Sequence, residues 1–448
     1  MGGGDLAEKP TVSASRVRYQ VLAVACSVAV VSYVHRLGFS STLPKVSKEL
    51  HFSDQQASWL TAIFLIAYGG FEIPCGLIGD RLGVRHLLTL LVLGWSVVTG
   101  CLALVGLLPQ EAGLAFAFVL CMRFLFGMFQ AGAFPALSRM MTDWMPVKKR
   151  GSAQGFIWMS SRAGALVVPF FFNALIDLFG SWQNALWVVA GLGVCWCVAF
   201  WPWFRNRPEE MASVNVAERE LIVAGRPKAP RVHGPTPWRL LLRSRSVWCL
   251  CLMYACGGFA ANFYITLLPQ YLENQRHLSH ETASWLQSWP FGCGLVACVT
   301  GGMISDWIIR RTGNRKWGRR LCGTFGTSVG ALGWLLIPAA GETWLLAVLL
   351  CVIFFWNDLS MGPAWAACAD IGERYAGTVG GAMNMLGSFA GALGNLVAGF
   401  LMGKAFLLPN SEVVEGNHLV FVIYGCSFAL AALCWQGVDA TKTLAVED

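Results

Sequence analysis

Three arginines stand inside long apolar runs, and their neighbours set out what chemistry this chain could do. Arg36 follows Tyr33 by three residues and precedes Ser40 by four, so the three share one helical face. A planar guanidinium can grip a carboxylate through two parallel hydrogen bonds, which a lysine cannot. Arg123 precedes Gln130 by seven residues, two turns along one face. Arg162 stands in WMSSRAG. Groups able to hold a proton occupy similar settings: His35 beside Arg36, Glu72 in YGGFEIPCG and Asp358 in FFWNDLSMGPAW. A charge in hydrocarbon is costly unless it is paired or used. Arg36 is therefore expected to bind an anion. For Glu72 and Asp358, proton carriage and pairing with Arg123 or Arg162 stand as equal alternatives. Arg162 either supplies a second positive charge, suited to a doubly charged anion, or snorkels or neutralises Glu72. Tyr33, Tyr68, Asn262, Tyr264, Trp365 and Asn395 could hydrogen-bond or stack on such a ligand.

These groups need apolar helices to carry them, and the composition supplies little else. Of 448 residues 56% are hydrophobic and 13% charged, about half the charge of a soluble globular chain. That excludes a cytosolic enzyme, a disordered chain and a secreted disulfide scaffold. Runs near 19–43, 55–78, 86–107, 113–138, 151–177, 184–203, 246–271, 281–306, 320–340, 343–366, 375–402 and 418–437 read as twelve spanning helices. Their continuity argues against barrel strands. No small-residue cleavage site precedes the first run, so it is expected to be retained. With the N-terminus in the cytoplasm, the opposite side carries only Lys45, Lys48, Arg276 and Lys404, while nearly every other loop Lys and Arg lies inside. Both termini are thus expected to be cytoplasmic. The same bias accounts for the net charge of +8 without a nucleic-acid partner. Cys195, Cys197, Cys249, Cys251 and Cys293 have no His or acidic neighbours at ligand spacing and read as small buried hydrophobes. No metal, cofactor or enzymatic constellation is expected.

Polar, Pro- and Arg-rich residues 204–245 divide the chain into a half at 1–203 and a half at 246–448. GLIGD, Gly76 to Asp80, ends the second run, and GMISD, Gly302 to Asp306, ends the eighth at an offset of 226 residues. The first belongs to GLIGDRLGVRHL, in which Gly76, Asp80, Arg81, Gly83 and Arg85 form G-x-x-x-D-R-x-G-x-R. Gly76 permits close helix contact, and Asp80 can accept from a neighbouring helix N-terminus and from the arginines, a latch for one conformation.

This loop is similar to the signature of the major facilitator superfamily. The resemblance implies an all-α membrane fold of twelve helices in two pseudo-symmetric six-helix halves, with a substrate site between them. SYVHRLGFSSTLPKVSKEL, RFLFGMFQAGAFPA, WMPVKKRGSAQG, RNRPEEMASVNVAERELI, LPQYL and ADIGERYAGTVGGAMNMLGSFAGALG together resemble the anion:cation symporter family. That family includes hexuronate and galactonate carriers, sialin and vesicular glutamate transporters, and the likeness covers almost the whole chain.

The resemblance implies that Arg36 binds the substrate carboxylate, that Arg123 organises the site and, since LPQYL and GPAW match family segments, that Tyr264 and Trp365 are the better of the aromatic candidates. It also implies proton-carrying acids where this chain has His35 and Gln130, and both departures fall on the coupling machinery. The expectation is a monomeric carrier of small organic anions such as sugar acids, working by alternating access in a bacterial inner membrane. A proton or other cation is moved with the anion through His35, Glu72 or Asp358, or transport is uncoupled. An organophosphate:phosphate exchanger is the alternative, since Tyr33, Arg36 and Phe39 also fit that class. A non-transporting membrane sensor with the same fold is a third reading.

Overall fold

The computed structural model describes residues 13–107, 112–224, 236–407 and 413–444. Lys9 and the linker prolines Pro227, Pro230 and Pro235 lie outside the described residues. The first half comprises α1 Val17–Glu49, α2 Asp54–Leu82, α3 Val84–Ala103, α4 Ala112–Gln130, α5 Ala133–Trp144, α6 Arg150–Phe179 and α7 Trp182–Trp203. A short α8, Val216–Val223, follows. Then come α9 Arg245–Ala261, α10 His280–Thr312, α11 Arg315–Leu336, α12 Thr343–Leu359, α13 Met361–Gly372, α14 Ala376–Leu401 and α15 Gly416–Trp435. A two-stranded hairpin, β1 Ala405–Leu407 with β2 Val413–Glu415, precedes the last helix.

Ten described helical stretches are long and apolar enough to cross a membrane. One of them, Thr343–Leu401, reverses at Glu373–Tyr375 and accounts for two crossings. The seventh crossing begins with the shorter α9 and continues through broken helical turns to Gln275. The twelve expected runs are all found. Large apolar side chains such as Phe170, Leu178, Val198 and Leu396 face outward, as a lipid-facing surface requires. Cys195 is exposed among them, not buried as expected; Cys197 and Cys251 are buried, and Cys249 and Cys293 half-buried.

Two helices are interrupted by the same device. Pro135 lacks the N–H that would bond the carbonyl four residues earlier, and the helix breaks between α4 and α5 just after Gln130. Pro363 does the same between α12 and α13, just after Asp358. Each polar residue stands five positions before its proline, which places both at loosened points of otherwise apolar helices.

The two halves meet along two related seams, α2 against α14 and α10 against α6. A Cβ at Gly76 would press on the carbonyl of Gly377, and one at Gly302 on that of Gly151. Glycine is needed there because backbone meets backbone. The offset of 226 relates not only Gly76 to Gly302 but also Gly151 to Gly377. At the end of the bundle that carries both termini, α8 docks on the start of α1. Buried Glu218 accepts from the backbone of Val17 and Arg18, both at 3.1 Å, and from the Arg18 guanidinium at 2.8 Å. The carboxylate thus satisfies amides that a helix start leaves unpaired.

Gly302→Val should force the α10–α6 seam apart at a cost of about 1–3 kcal/mol, the range for overpacking a tight contact. Thermal unfolding in detergent checks this, and Leu396→Val on the outer face should leave the melting temperature nearly unchanged.

Candidate functional site

Arg36 sits where α1, α2 and α4 converge. Its Nε donates to Gln130 Oε1 at 3.0 Å, and Gln130 in turn bonds the Ser32 hydroxyl at 3.2 Å and carbonyl at 3.1 Å. The guanidinium lies 4.4 Å from the Tyr68 ring centre, 5.4 Å from Tyr33 and 5.5 Å from Phe64. Three aromatic faces stabilise its charge, and the Tyr68 hydroxyl also lies within its reach. Its Nη2 is buried with no hydrogen-bond partner among the described residues. One donor of a two-pronged grip is therefore left over.

Across the α2–α14 seam, Asn384 donates to the Tyr68 hydroxyl at 3.0 Å and to Glu72, while Ser388 donates to Glu72 at 3.4 Å. Glu72 is fully buried, and its Oε2 has no partner among the described residues. It pairs with neither Arg123 nor Arg162. It takes an amide and a hydroxyl from the other half, and it also lies within electrostatic reach of Arg36 and Tyr68 in its own half.

Arg123 is buried in an aromatic cage, 4.4 Å from the Phe39 ring centre, 4.7 Å from Phe64 and 5.4 Å from Phe126. Its Nε reaches the Leu60 carbonyl at 3.3 Å. Phe64 thus separates Arg123 from Arg36. His35, although next to Arg36 in sequence, points to another side of α1. Its Nδ1 meets the Val31 carbonyl at 2.9 Å, Nε2 meets Ser96 at 3.4 Å, and the ring packs 6.2 Å from Trp95. His35 does not share a site with Arg36, because adjacent helical residues diverge by about 100°.

Arg162 and Asp358 form a two-pronged ion pair between α6 and α12. Nε to Oδ2 is 2.7 Å and Nη2 to Oδ1 is 2.9 Å. Asn357 Nδ2 also donates to Asp358 at 3.1 Å, and Cys298 Sγ lies 3.7 Å away. Arg162 is therefore neutralised by Asp358 and not by Glu72. Toward the end with the termini, Trp365, Trp158, Phe134 and Tyr254 form an aromatic floor. Phe134 stacks on Trp158 at 4.5 Å, and the Trp365 Nε1 donates to the Tyr254 hydroxyl at 3.4 Å. Tyr264 lies elsewhere: it is buried in the second half's core against Trp334 and Phe354, and its hydroxyl donates to the Leu350 carbonyl at 3.1 Å. Asn395 is half-buried on α14, two turns beyond Ser388.

Below the floor, two carboxylates close the bundle. Asp80 accepts from the amides of Gly377 at 3.0 Å and Thr378 at 2.7 Å, and from the Thr378 hydroxyl at 2.6 Å. Asp306 accepts from the amides of Gly151 at 3.1 Å and Ser152 at 2.6 Å, and from the Ser152 hydroxyl at 2.7 Å. Each caps the first turn of a helix in the opposite half, where amides and helix dipole favour an anion. Arg85 does not reach Asp80 as expected. It donates to the Trp201 carbonyl at 2.9 and 2.6 Å, and past Gly83, at φ 83°, its own backbone N–H donates to Asn206 Oδ1 at 2.9 Å. Arg81 is exposed.

Among the described residues only the second carboxylate is directly ion-paired in a buried chain; Arg139 acts on Asp80 without a direct ion pair. Arg319 joins Asp306 at 2.8 Å to Asp370 at 3.2 Å, and Arg150 joins Asp370 at 2.9 Å to Glu373 at 3.4 Å. Sequence reading passed over Arg150, Arg319, Asp370, Asn384 and Ser388. For Asn384 and Ser388 the offset of 226 was an available signal, since it superposes Ser388 on Arg162 and Asn384 on Trp158, but it sets Arg150, Arg319 and Asp370 opposite Ala376, Leu93 and Trp144.

Residues 25–395 match the family described as the Major Facilitator Superfamily. The chain belongs to the major facilitator superfamily. It is an integral, multi-pass membrane protein and a transporter. Among its relatives, a probable sulfoacetate transporter of Cupriavidus necator is 28% identical, over 96% of this chain and 95% of that protein. A probable L-galactonate transporter of Escherichia coli is 24% identical over 94% and 89%, and the hexuronate transporter of Bacillus subtilis 25% over 91% and 93%. The fold is similar to that of the proton:xylose symporter XylE, with TM-score 0.73, 15% identity and coverage of 96% and 98%. It is also similar to the human organic anion transporter MFSD10, with TM-score 0.69, 16% identity and coverage of 94% and 100%.

Asp306→Asn should destabilise the protein by about 3 kcal/mol, because it weakens the compensation of a fully buried arginine. Asp80→Asn should cost less, since no arginine lies within hydrogen-bond reach of that carboxylate among the described residues. Parallel melting curves of the two variants check the order; equal losses would contradict it.

Proposed function

We propose that this protein carries small organic anions, sugar acids or related carboxylates and sulfonates, across a membrane by alternating access. Arg36 is the anchor for the substrate's carboxylate. The observation that carries this is the Arg36 guanidinium, held by three aromatic faces and one amide while its Nη2 stays buried and unpartnered among the described residues. A carboxylate there would complete a charge-assisted contact at Nη2 that no described residue makes. The names of the relatives support the same class: sulfoacetate, L-galactonate and hexuronate are all organic anions.

In this reading residues 1–203 and 246–448 are the two rocking halves, and residues 204–245 connect them. The Asp80 and Asp306 caps hold shut the end with the termini, which faces the cytoplasm of a bacterial cell, and the protein acts as a monomer. Arg123 keeps Phe64 and the α4 face in place behind Arg36. Gln130 positions Arg36 but cannot titrate, so a proton moving with the anion has to use another acid. Trp158, Trp365 and Tyr254 form the floor on which the anion rests.

Purified protein in liposomes tests the proposal. It should accumulate radiolabelled L-galactonate or galactarate, and an inwardly directed proton gradient should accelerate entry. Arg36→Ala should lower uptake by about ten- to a hundredfold, the loss expected for one charge-assisted contact. Undiminished uptake by Arg36→Ala would remove Arg36 from the site.

A further inference from the structure

Gln130 and Asp358, 228 residues apart, hold corresponding places beside the helix breaks of the two halves. Each stands five residues before the proline that breaks its helix, and each receives an arginine: Gln130 takes Arg36, and Asp358 takes Arg162. The two arrangements differ in one chemical respect. Gln130 is fixed as a neutral amide, whereas Asp358 can exist with or without a proton.

The groups that face Asp358 are few. Arg162 approaches from α6, Cys298 from α10 at 3.7 Å, and Asn357 from its own helix at 3.1 Å. The Gly294 backbone packs directly on the carboxylate, so α10 offers no further charge there. The Tyr264 hydroxyl lies close enough to interact with Asp358, and Tyr33 with Arg162. Tyr33 also stands beside Arg36, its ring centre 5.4 Å from that guanidinium. The ion pair is thus a nearly isolated charge pair across the boundary of the halves, one tyrosine away from the proposed carboxylate anchor.

We propose that Arg162 and Asp358 form a proton-gated second anion subsite, which makes a doubly charged organic anion the preferred substrate. This rests on the anion-carrier reading above. Rocking must part Arg162 from Asp358, because they belong to opposite halves. Parting them bare would strand two buried charges. When a proton from the water on the open side adds to Asp358, its carboxylate becomes a neutral carboxylic acid. The two N–H donors of Arg162 leave it and bond the second anionic group of a substrate whose first carboxylate is on Arg36. Both charges are then matched while the halves move. On the other side the anion leaves, Asp358 releases its proton, and the pair re-forms. One proton thus travels with each dianion, in the same direction.

Galactarate and L-galactonate make a matched pair of probes, since both are six-carbon sugar acids and only galactarate carries a second carboxylate. Uptake of each is measured in liposomes containing full-length wild type, Asp358→Asn, Arg162→Gln or the double variant, with and without a proton gradient. Wild type should favour galactarate and respond to the gradient. Asp358→Asn should exchange galactarate but lose acceleration by the gradient. Arg162→Gln should lower the galactarate-to-galactonate uptake ratio by about tenfold or more.

The double variant R162Q/D358N leaves no buried charge unpaired, so it keeps the test open if a single variant does not fold. It should show both the lost preference and the lost gradient response. Retained gradient acceleration in Asp358→Asn, or an unchanged ratio in both Arg162 variants, would overturn the subsite while leaving the carrier reading intact. Uptake of neither acid by wild type would overturn both.

Discussion

An ionised group inside a bilayer has to be matched, and in this protein the matching partners lie across the boundary between the halves. Asp80 is matched by the first turn of α14, Asp306 by the first turn of α6, and Asp358 by Arg162. Glu72 is met by Asn384 and Ser388. Because the cost of an unmatched charge is several kcal/mol in hydrocarbon, these contacts do more than glue the seams. They define which relative placements of the halves are allowed, and any other placement must bring its own set of partners. The glycines at 76, 151, 302 and 377 serve the same end by letting the backbones approach until the carboxylates reach their amides.

The two seams share a plan but differ in charge. The α2–α14 seam is held by a carboxylate on backbone and hydroxyl donors and by Asn384 and Ser388 on Glu72, with Arg139 and Arg36 acting on the two acids without a direct ion pair among the described residues. The α10–α6 seam adds the Asp306–Arg319–Asp370–Arg150–Glu373 chain and the Arg162–Asp358 pair. Charge is therefore concentrated on one side of the pseudo-two-fold axis. The other side holds Arg36, the arginine with a buried donor unpartnered among the described residues. A site with one arginine open and a second arginine occupied by an acid has two states of positive charge to offer, and the aspartate decides between them.

Much of this was legible in the residues themselves. Twelve apolar runs, the biased basic loops and the repeated G-x-x-x-D signalled the fold, because span length and loop charge are local properties. Helical spacing grouped Arg36 with Tyr33 on α1 and Arg123 with Gln130 on α4, but that Gln130 meets Arg36, beside Tyr68 of α2, is a contact between helices that spacing does not show. The misplacements have a common cause. His35 and Arg36 are neighbours in sequence, but a helix turns one away from the other, and only packing against Trp95 and Ser96 decides which faces inward. Tyr264 sits in a broken helix whose register cannot be read from apolar periodicity. The partner of Arg162 and the contacts of Arg85 lie 196 and 116 residues away, and nothing local distinguishes Asp358 from Glu72 as the counterion. The offset of 226 residues pointed to the matching glycines of the two seams and to neither of these partners.

The central claim is that the halves separate along these two seams when an anion binds. Its most direct measurement is a pulsed-dipolar distance across the end of the bundle that carries the termini. Ketone-reactive spin labels on p-acetylphenylalanine at exposed positions 82 and 312 avoid the native cysteines. In liposomes without ligand the pair should give one short distance, that of the capped state. Galactarate with a proton gradient should populate a second, longer one. A single distance that is unmoved by anion and gradient, in protein that still takes up the anion, would contradict the account.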